Sequence, residues 1–214
     1  FPTRRSSDLT YVYLIPSNMF AVTVLGYLEK IERKIYGNGE IAEAAKALKE
    51  EVHTAIETIG KTFTEEFGMV YAYETDGFGM YNLMDDANVP SLLAMNYLGY
   101  PSDKEVEANT RRLLLSEANP FYFKGAKAAG IGSPHTPSNY IWHIAMAVQG
   151  LTTGDREEKR RILENMAATT GGKGVMHEGF CCEDDTRYTR EWFSWANAMY
   201  AELFLNYLGY TLDK

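Results

Sequence analysis

The sequence predicts an all-α fold, a ring of helical hairpins with short β-hairpins confined to its loops. Three observations predict it. Apolar residues recur at steps of three and four along most of the 214-residue chain, and β-prone stretches are short and gathered around glycine. The pentapeptide NYLGY occurs at 96–100 and again at 206–210, each time where a helical pattern runs out on glycine. Helix pairs joined alternately by short and long connections would collect the long loops on one face.

The elements follow in order. After Pro16, Ser17 or Asn18 can cap a helix carrying Val22, Leu25, Leu28, Ile31 and Ile35. Gly37-Asn38-Gly39 breaks it. A long helix follows, with Ile41, Ala45, Leu48, Val52, Ala55, Ile59 and Phe63 on one stripe. Residues 68–83 are aromatic and glycine-rich and read as a hairpin or ordered loop. Pro90 opens the next helix and Gly99 closes it, which sets Asp85 and Asp86 at a helix N-terminus. Ser102 with Glu105 forms a capping box for another helix. An irregular stretch over 118–139 leads to a helix with Ile141, Ile144, Ala145, Val148 and Leu151. Asp155 with Glu158 starts a helix through Ile162 and Met166. Residues 170–192 are irregular again, and Phe193 to Leu208 is the last helix.

Composition excludes several classes. Hydrophobic residues make up 45% and charged residues 23%, which is globular rather than disordered. A net charge of -8 argues against a nucleic-acid partner, which requires clustered Lys and Arg. No apolar run is long enough to span a bilayer, and no secretory leader is visible, so no membrane partner and a cytoplasmic location are expected. The two cysteines, Cys181 and Cys182, are neighbours without zinc spacing and read as free thiols of a reducing compartment.

Three irregular segments share one composition of acids, amides and aromatics. Residues 74–90 offer Glu74, Asp76, Asp85, Asp86 and Asn88; residues 132–143 offer Ser133, His135, Thr136, Asn139 and His143. Residues 176–197 offer His177, Glu178, Asp184, Asp185, Arg187, Tyr188, Arg190, Trp192, Trp195 and Asn197. His177-Glu178 lacks the second histidine of a metal helix, and neither a nucleophile elbow nor a phosphate loop is present, so no metal and no cofactor are expected. Carboxylate chemistry remains. Glycoside hydrolysis needs one acid to protonate the leaving oxygen and another carboxylate to activate water or attack. From the residues alone, Glu178 is divided between that role and capping the following loop. Asp184 and Asp185 read as surface charges. Capping explains one of Asp85 and Asp86 but not both.

YLIPSNMFAV, YETDGFG, LMDDANVPSLL, GIGSPHT, MHEGF and YTREWFSWANAMYAEL resemble, in order and spacing, the family 125 glycoside hydrolases. The resemblance implies an exo-acting, inverting, metal-independent α-1,6-mannosidase on an (α/α)6 barrel. The family's domain is about twice as long, so residues 11–214 would be its C-terminal part, roughly half the barrel. Residues 1–10 fit nothing in the family, and FPTRRSSDL reads as a sequence artefact in place of an Arg-Pro-Ser-Asp-Asp stretch that supplies the general acid. The resemblance makes Glu178 the general base and leaves Asp8 and Asp86 as the acid candidates within this chain. It assigns sugar contacts to Asp85, Asp86, Asn88, His135, Arg190 and Trp195, and implies an α-mannoside or N-glycan-derived oligosaccharide as partner. The fragment itself is then expected to be inactive. The alternative is a non-catalytic helical ring that binds carbohydrate or serves as a scaffold.

Overall fold

A computed structural model describes residues 9–210. Asp8, and with it most of the stretch expected to be a leader, lies outside the described residues. Within them the chain forms α-helices interleaved with short antiparallel strands and divides into two compact units.

The first unit comprises the chain up to Leu83 and residues Pro90–Arg112. Strand β1 (Tyr13–Leu14) runs straight into α1 (Ile15–Ile31). Leu14, not Ser17 or Asn18, is the N-cap, because Pro16 already occupies the first turn, where a missing N–H costs nothing. Asn18 instead donates its amide to Leu14 O at 2.8 Å. The helix ends in a π-turn over Glu32–Tyr36, and Gly37 takes the left-handed conformation that stops it. Asn38 caps α2 (Gly39–Ile59) by accepting from Ile41 N. Ala42, Ala45 and Ile56 are buried, and α1 and α2 pack on each other. Hairpin β2 (Lys61–Thr64) with β3 (Gly68–Tyr71) follows. Strands β4 (Glu74–Thr75) and β5 (Tyr81–Asn82) complete a small sheet with β1.

Residues 90–99 depart from expectation. They form successive turns rather than a regular α-helix, with Ala94 N bonded to Ser91 O and Met95 N to Leu92 O. Asp85 and Asp86 therefore do not sit at a helix N-terminus, and helix capping accounts for neither. The capping box is also revised. Asp103 Oδ1 accepts from Glu105 N and Val106 N to start α3 (Lys104–Leu114), while Ser102 donates to Glu107.

The second unit comprises Met84–Val89 and Leu113 onward. Hairpin β6 (Tyr122–Lys124) with β7 (Ala129–Ile131) precedes β8 (Tyr140–Trp142), which enters α4 (His143–Leu151). Asp155 caps α5 (Arg156–Ala168), as its spacing predicts. Strands β9 (Gly179–Cys181) and β10 (Asp184–Thr189) join β8 in the order β10-β9-β8, and α6 (Ser194–Tyr207) closes the unit. Helix α4 is buried along nearly its whole length and packs on both α5 and α6. At the α4–α6 crossing Gly150 lies close under Leu203, whose terminal methyl groups would have to shift for a Cβ that would otherwise meet them at 2.7 Å. Both cysteines are free and buried.

The NYLGY echo has a physical basis. Gly99 and Gly209 both have positive φ, and in each copy the following tyrosine N–H reaches back five residues, Tyr100 N to Met95 O and Tyr210 N to Leu205 O. These are two glycine-terminated Schellman closures. The first ends a run of turns and the second ends α6.

Candidate active site

Glu74 and Asp76 belong to the first unit. The residues to which the resemblance assigns roles lie, where the structure describes them, in the second unit, in two clusters. The first is a strap, residues 84–89, held from both sides. Asp85 N donates to Asn119 Oδ1 at 3.3 Å, and Ala87 N donates to Gly132 O at 3.0 Å. Asp86 Oδ1 accepts from Asn88 N at 3.1 Å, an Asx turn that fixes the carboxylate. Asp85 and Asp86 are almost entirely shielded from solvent, at 0% and 1% exposure. Two adjacent carboxylates are buried only where the surrounding structure compensates for the lost hydration. His135 brings its Nε2 to 4.0 Å from Asp86 Oδ2 and keeps its other side in solvent. Its loop is set by Ser133, whose Oγ accepts from His135 N.

Glu178 anchors the second cluster at the start of β9. Its side chain retains 14% exposure, and Arg190 Nε lies 3.3 Å from Oε1. Arg190 has a positive φ of 46°, a conformation a non-glycine residue holds only when its surroundings impose it. The guanidinium also lies over the Phe193 ring at 5.6 Å, and Phe193 leads to the exposed Trp195 at a ring separation of 6.4 Å. Glu178, Arg190, Phe193 and Trp195 thus form one contiguous set.

The two clusters are tied through the β8–β9 pairing. Trp142 stands opposite Gly179, and its indole N–H donates to Thr136 Oγ1 at 3.0 Å, next to His135. A side chain at 179 would meet Trp142 at about 3 Å, so the glycine after Glu178 lets the indole approach the acid's own backbone.

Several supporting residues escape sequence reasoning. Asn119 is buried, donates to Leu114 O and uses its carbonyl oxygen to hold both Asp85 N and Phe121 N. Thr189 and His143 brace the backbone around Glu178, through Gly179 N and His177 N respectively. Asn119 carries a weak signal, because it precedes Pro120 in a loop. Asp185 corrects an expectation. It is buried rather than a surface charge, bonding Lys127 at 2.9 Å and Gly171 N at 3.0 Å, and the Lys127 hydrogen bond holds its carboxyl below the usual range. Asp184 is partly shielded and accepts from Thr186. Among the described residues, no three His, Cys, Asp or Glu side chains converge as a metal-binding group would. No described helix is long and apolar enough to cross a membrane.

The two clusters offer a shielded acid pair, a further acid beside an arginine, and a nearby tryptophan, the residue types that carbohydrate chemistry uses. Comparison with known proteins agrees. Residues 3–205 match the family described as metal-independent α-mannosidase, GH125, and the chain belongs to that family. It is 41% identical over 198 residues to the meiotically up-regulated gene 157 protein of Schizosaccharomyces pombe, covering 92% of this chain and 39% of the relative. A solved Streptococcus pneumoniae structure is 48% identical with a TM-score of 0.92, covering 97% of this chain and 50% of that one. That structure is described as a metal-independent α-mannosidase in a non-productive complex with α-1,6-mannobiose. The chain therefore spans half or less of the length of these relatives.

Proposed function

We propose that this chain is the C-terminal part of an exo-acting α-1,6-mannosidase that removes terminal mannose from α-mannosides or N-glycan-derived oligosaccharides with inversion. The observation that carries the reading is Glu178, a largely shielded carboxylate on a braced strand end, paired with Arg190 at 3.3 Å. In this reading Glu178 is the general base that draws a proton from the attacking water. Asp85, Asp86, Asn88 and His135 grip mannose hydroxyls, and Arg190 and Trp195 border the same sugar. The burial of Asp86 and its fixed Asx turn suit a hydroxyl acceptor that needs no rearrangement on binding.

The general acid enters from the part of the domain that precedes residue 9, completing an (α/α)6 barrel of which this chain forms roughly half. Within this chain Asp8 and Asp86 are the weaker candidates for that role. The coverage of half the streptococcal chain at 48% identity supports the half-domain reading. The family match already begins at residue 3, so residues 1–10 are not set apart as a non-family leader. The 214-residue chain alone is silent in hydrolysis.

Inversion places the two carboxyl groups roughly 6.5–9.5 Å apart, leaving space for water between base and anomeric carbon. The test follows released mannose by NMR as the full-length parent cleaves α-1,6-mannobiose. β-Mannose appearing first supports the reading; α-mannose appearing first contradicts it.

A further inference from the structure

Residues 189–191 run antiparallel beside 177–179, and each makes contact across. Thr189 Oγ1 accepts from Gly179 N at 3.1 Å, Arg190 reaches Glu178, and Glu191 O lies 2.5 Å from His177 Nδ1. The other ring nitrogen of His177, Nε2, lies 3.0 Å from Thr170 O. The ring is fully buried. A carbonyl oxygen only accepts, and a neutral imidazole has one N–H, so both contacts are hydrogen bonds only when each nitrogen carries a proton. With one nitrogen bare, a lone pair would face a carbonyl oxygen on a ring shielded from bulk solvent.

The groups facing this ring suit a cation. The Tyr188 ring stacks on it at 3.9 Å and 12°, and Tyr188 donates its hydroxyl to Glu191 Oε2 at 3.0 Å. The Glu191 carboxylate also pairs with Lys173 at 3.1 Å. Glu178 and its partner Arg190 lie one residue away along each strand. The remaining neighbour, His143, takes the opposite state. His177 N donates to its Nδ1 at 3.1 Å, and its Nε2 faces Thr169 Oγ1, whose proton goes to Asn165 O. A proton on Nε2 alone satisfies the His177 N and Thr169 contacts. The same Nδ1 also lies 3.2 Å from His177 O, but unlike either nitrogen of His177 it has an N–H to accept from, and burial pushes this imidazole down to about 4.

We propose that His177, carrying a proton on each ring nitrogen, is the positioning residue that fixes Glu178. It joins the backbone at 170, 177 and 191 into one unit, so the carboxylate one residue on and the arginine opposite keep a constant separation. The role rests on reading Glu178 as the base, and His177 itself touches no substrate.

The test is histidine-selective ¹⁵N NMR of the 214-residue chain at neutral pH, with His177 identified by its loss in His177→Gln. The expected spectrum shows both His177 nitrogens protonated and His143 protonated on Nε2 alone. His177→Gln can span only one of the two carbonyls, and amide exchange at Gly179 should rise by about tenfold or more. A bare nitrogen on His177, or unchanged Gly179 exchange in the variant, overturns the proposal. If His177→Gln does not fold, the ring is identified in the unsubstituted chain by its proximity to Tyr188, and its protonation alone decides. Neither readout uses hydrolysis. A wrong base assignment therefore leaves both intact, while their failure leaves the turnover of Glu178→Gln to judge the base.

Discussion

His143 shows how one buried side chain can carry a pH dependence without entering the chemistry. Burial, followed by the neighbouring histidine, depresses its folded-state value from 6.5 to about 4. Between those values the unfolded chain binds a proton that the folded chain refuses. The stabilisation is thus complete above about 6.5 and is lost progressively as pH falls toward about 4. Its full size is on the order of 3 kcal/mol, the shift converted at about 1.4 kcal/mol per unit. Urea midpoints measured across this window should fall on acidification. In His143→Gln the midpoint should start lower and fall less, because no proton is taken up at that position. Equal slopes for the two proteins would remove His143 from the account. The acids behave differently: Asp85 and Asp86 are conspicuous as adjacent letters, yet what they do depends on Asn119, Gly132 and His135, which lie tens of residues away in the chain.

Strands and turns, more than helices, place the candidate site. The helical stripes of α4 and α5 were legible because apolar spacing reports directly on which face is buried. In α2 only Ala45 of the expected stripe is buried, the core face being Ala42, Ala45 and Ile56, and Phe63 falls beyond the helix in β2. The strap at 84–89 and the β8–β9–β10 sheet were not legible, because their order comes from tertiary hydrogen bonds that leave no periodic trace. Residues 90–99 illustrate the competition. Proline, an apolar run and a closing glycine predict a helix, but the segment bonds mostly at three-residue steps and settles as turns. Glu178 was legible as a candidate acid, whereas its bracing by Thr189 and His143 was not. Gly132 tests the strap directly. A Cβ there would fall 2.1 Å from Tyr140 O, a backbone atom that cannot swing aside. Gly132→Ala should therefore cost roughly 1–3 kcal/mol in chemical denaturation. It should also loosen Ala87 from Gly132 O and weaken binding of α-1,6-mannobiose. A variant with parental stability and binding would show that the strap is not held this way.

At the scale of the whole molecule, apolar side chains remain uncovered on helices in each unit. Val24, Tyr27, Leu28 and Ile31 on α1 are exposed, as are Phe204 and Leu205 on α6. A protein spanning half of its structural relative is expected to leave such faces for the rest of the domain to cover. The isolated chain should then self-associate or melt broadly, as judged by light scattering and calorimetry. A monomer with a sharp cooperative transition would argue that these 214 residues are self-sufficient. The central claim concerns the completed enzyme, and turnover of α-1,6-mannobiose by Glu178→Gln tests it most directly. The amide keeps the size and much of the hydrogen bonding of the acid but cannot accept the proton from water. Turnover should fall by about 10²–10⁴-fold, the scale of general base catalysis, while mannobiose binding stays close to that of the parent. Hydrolysis at the parental rate would contradict the account and move the search for the base to Asp85 and Asp86.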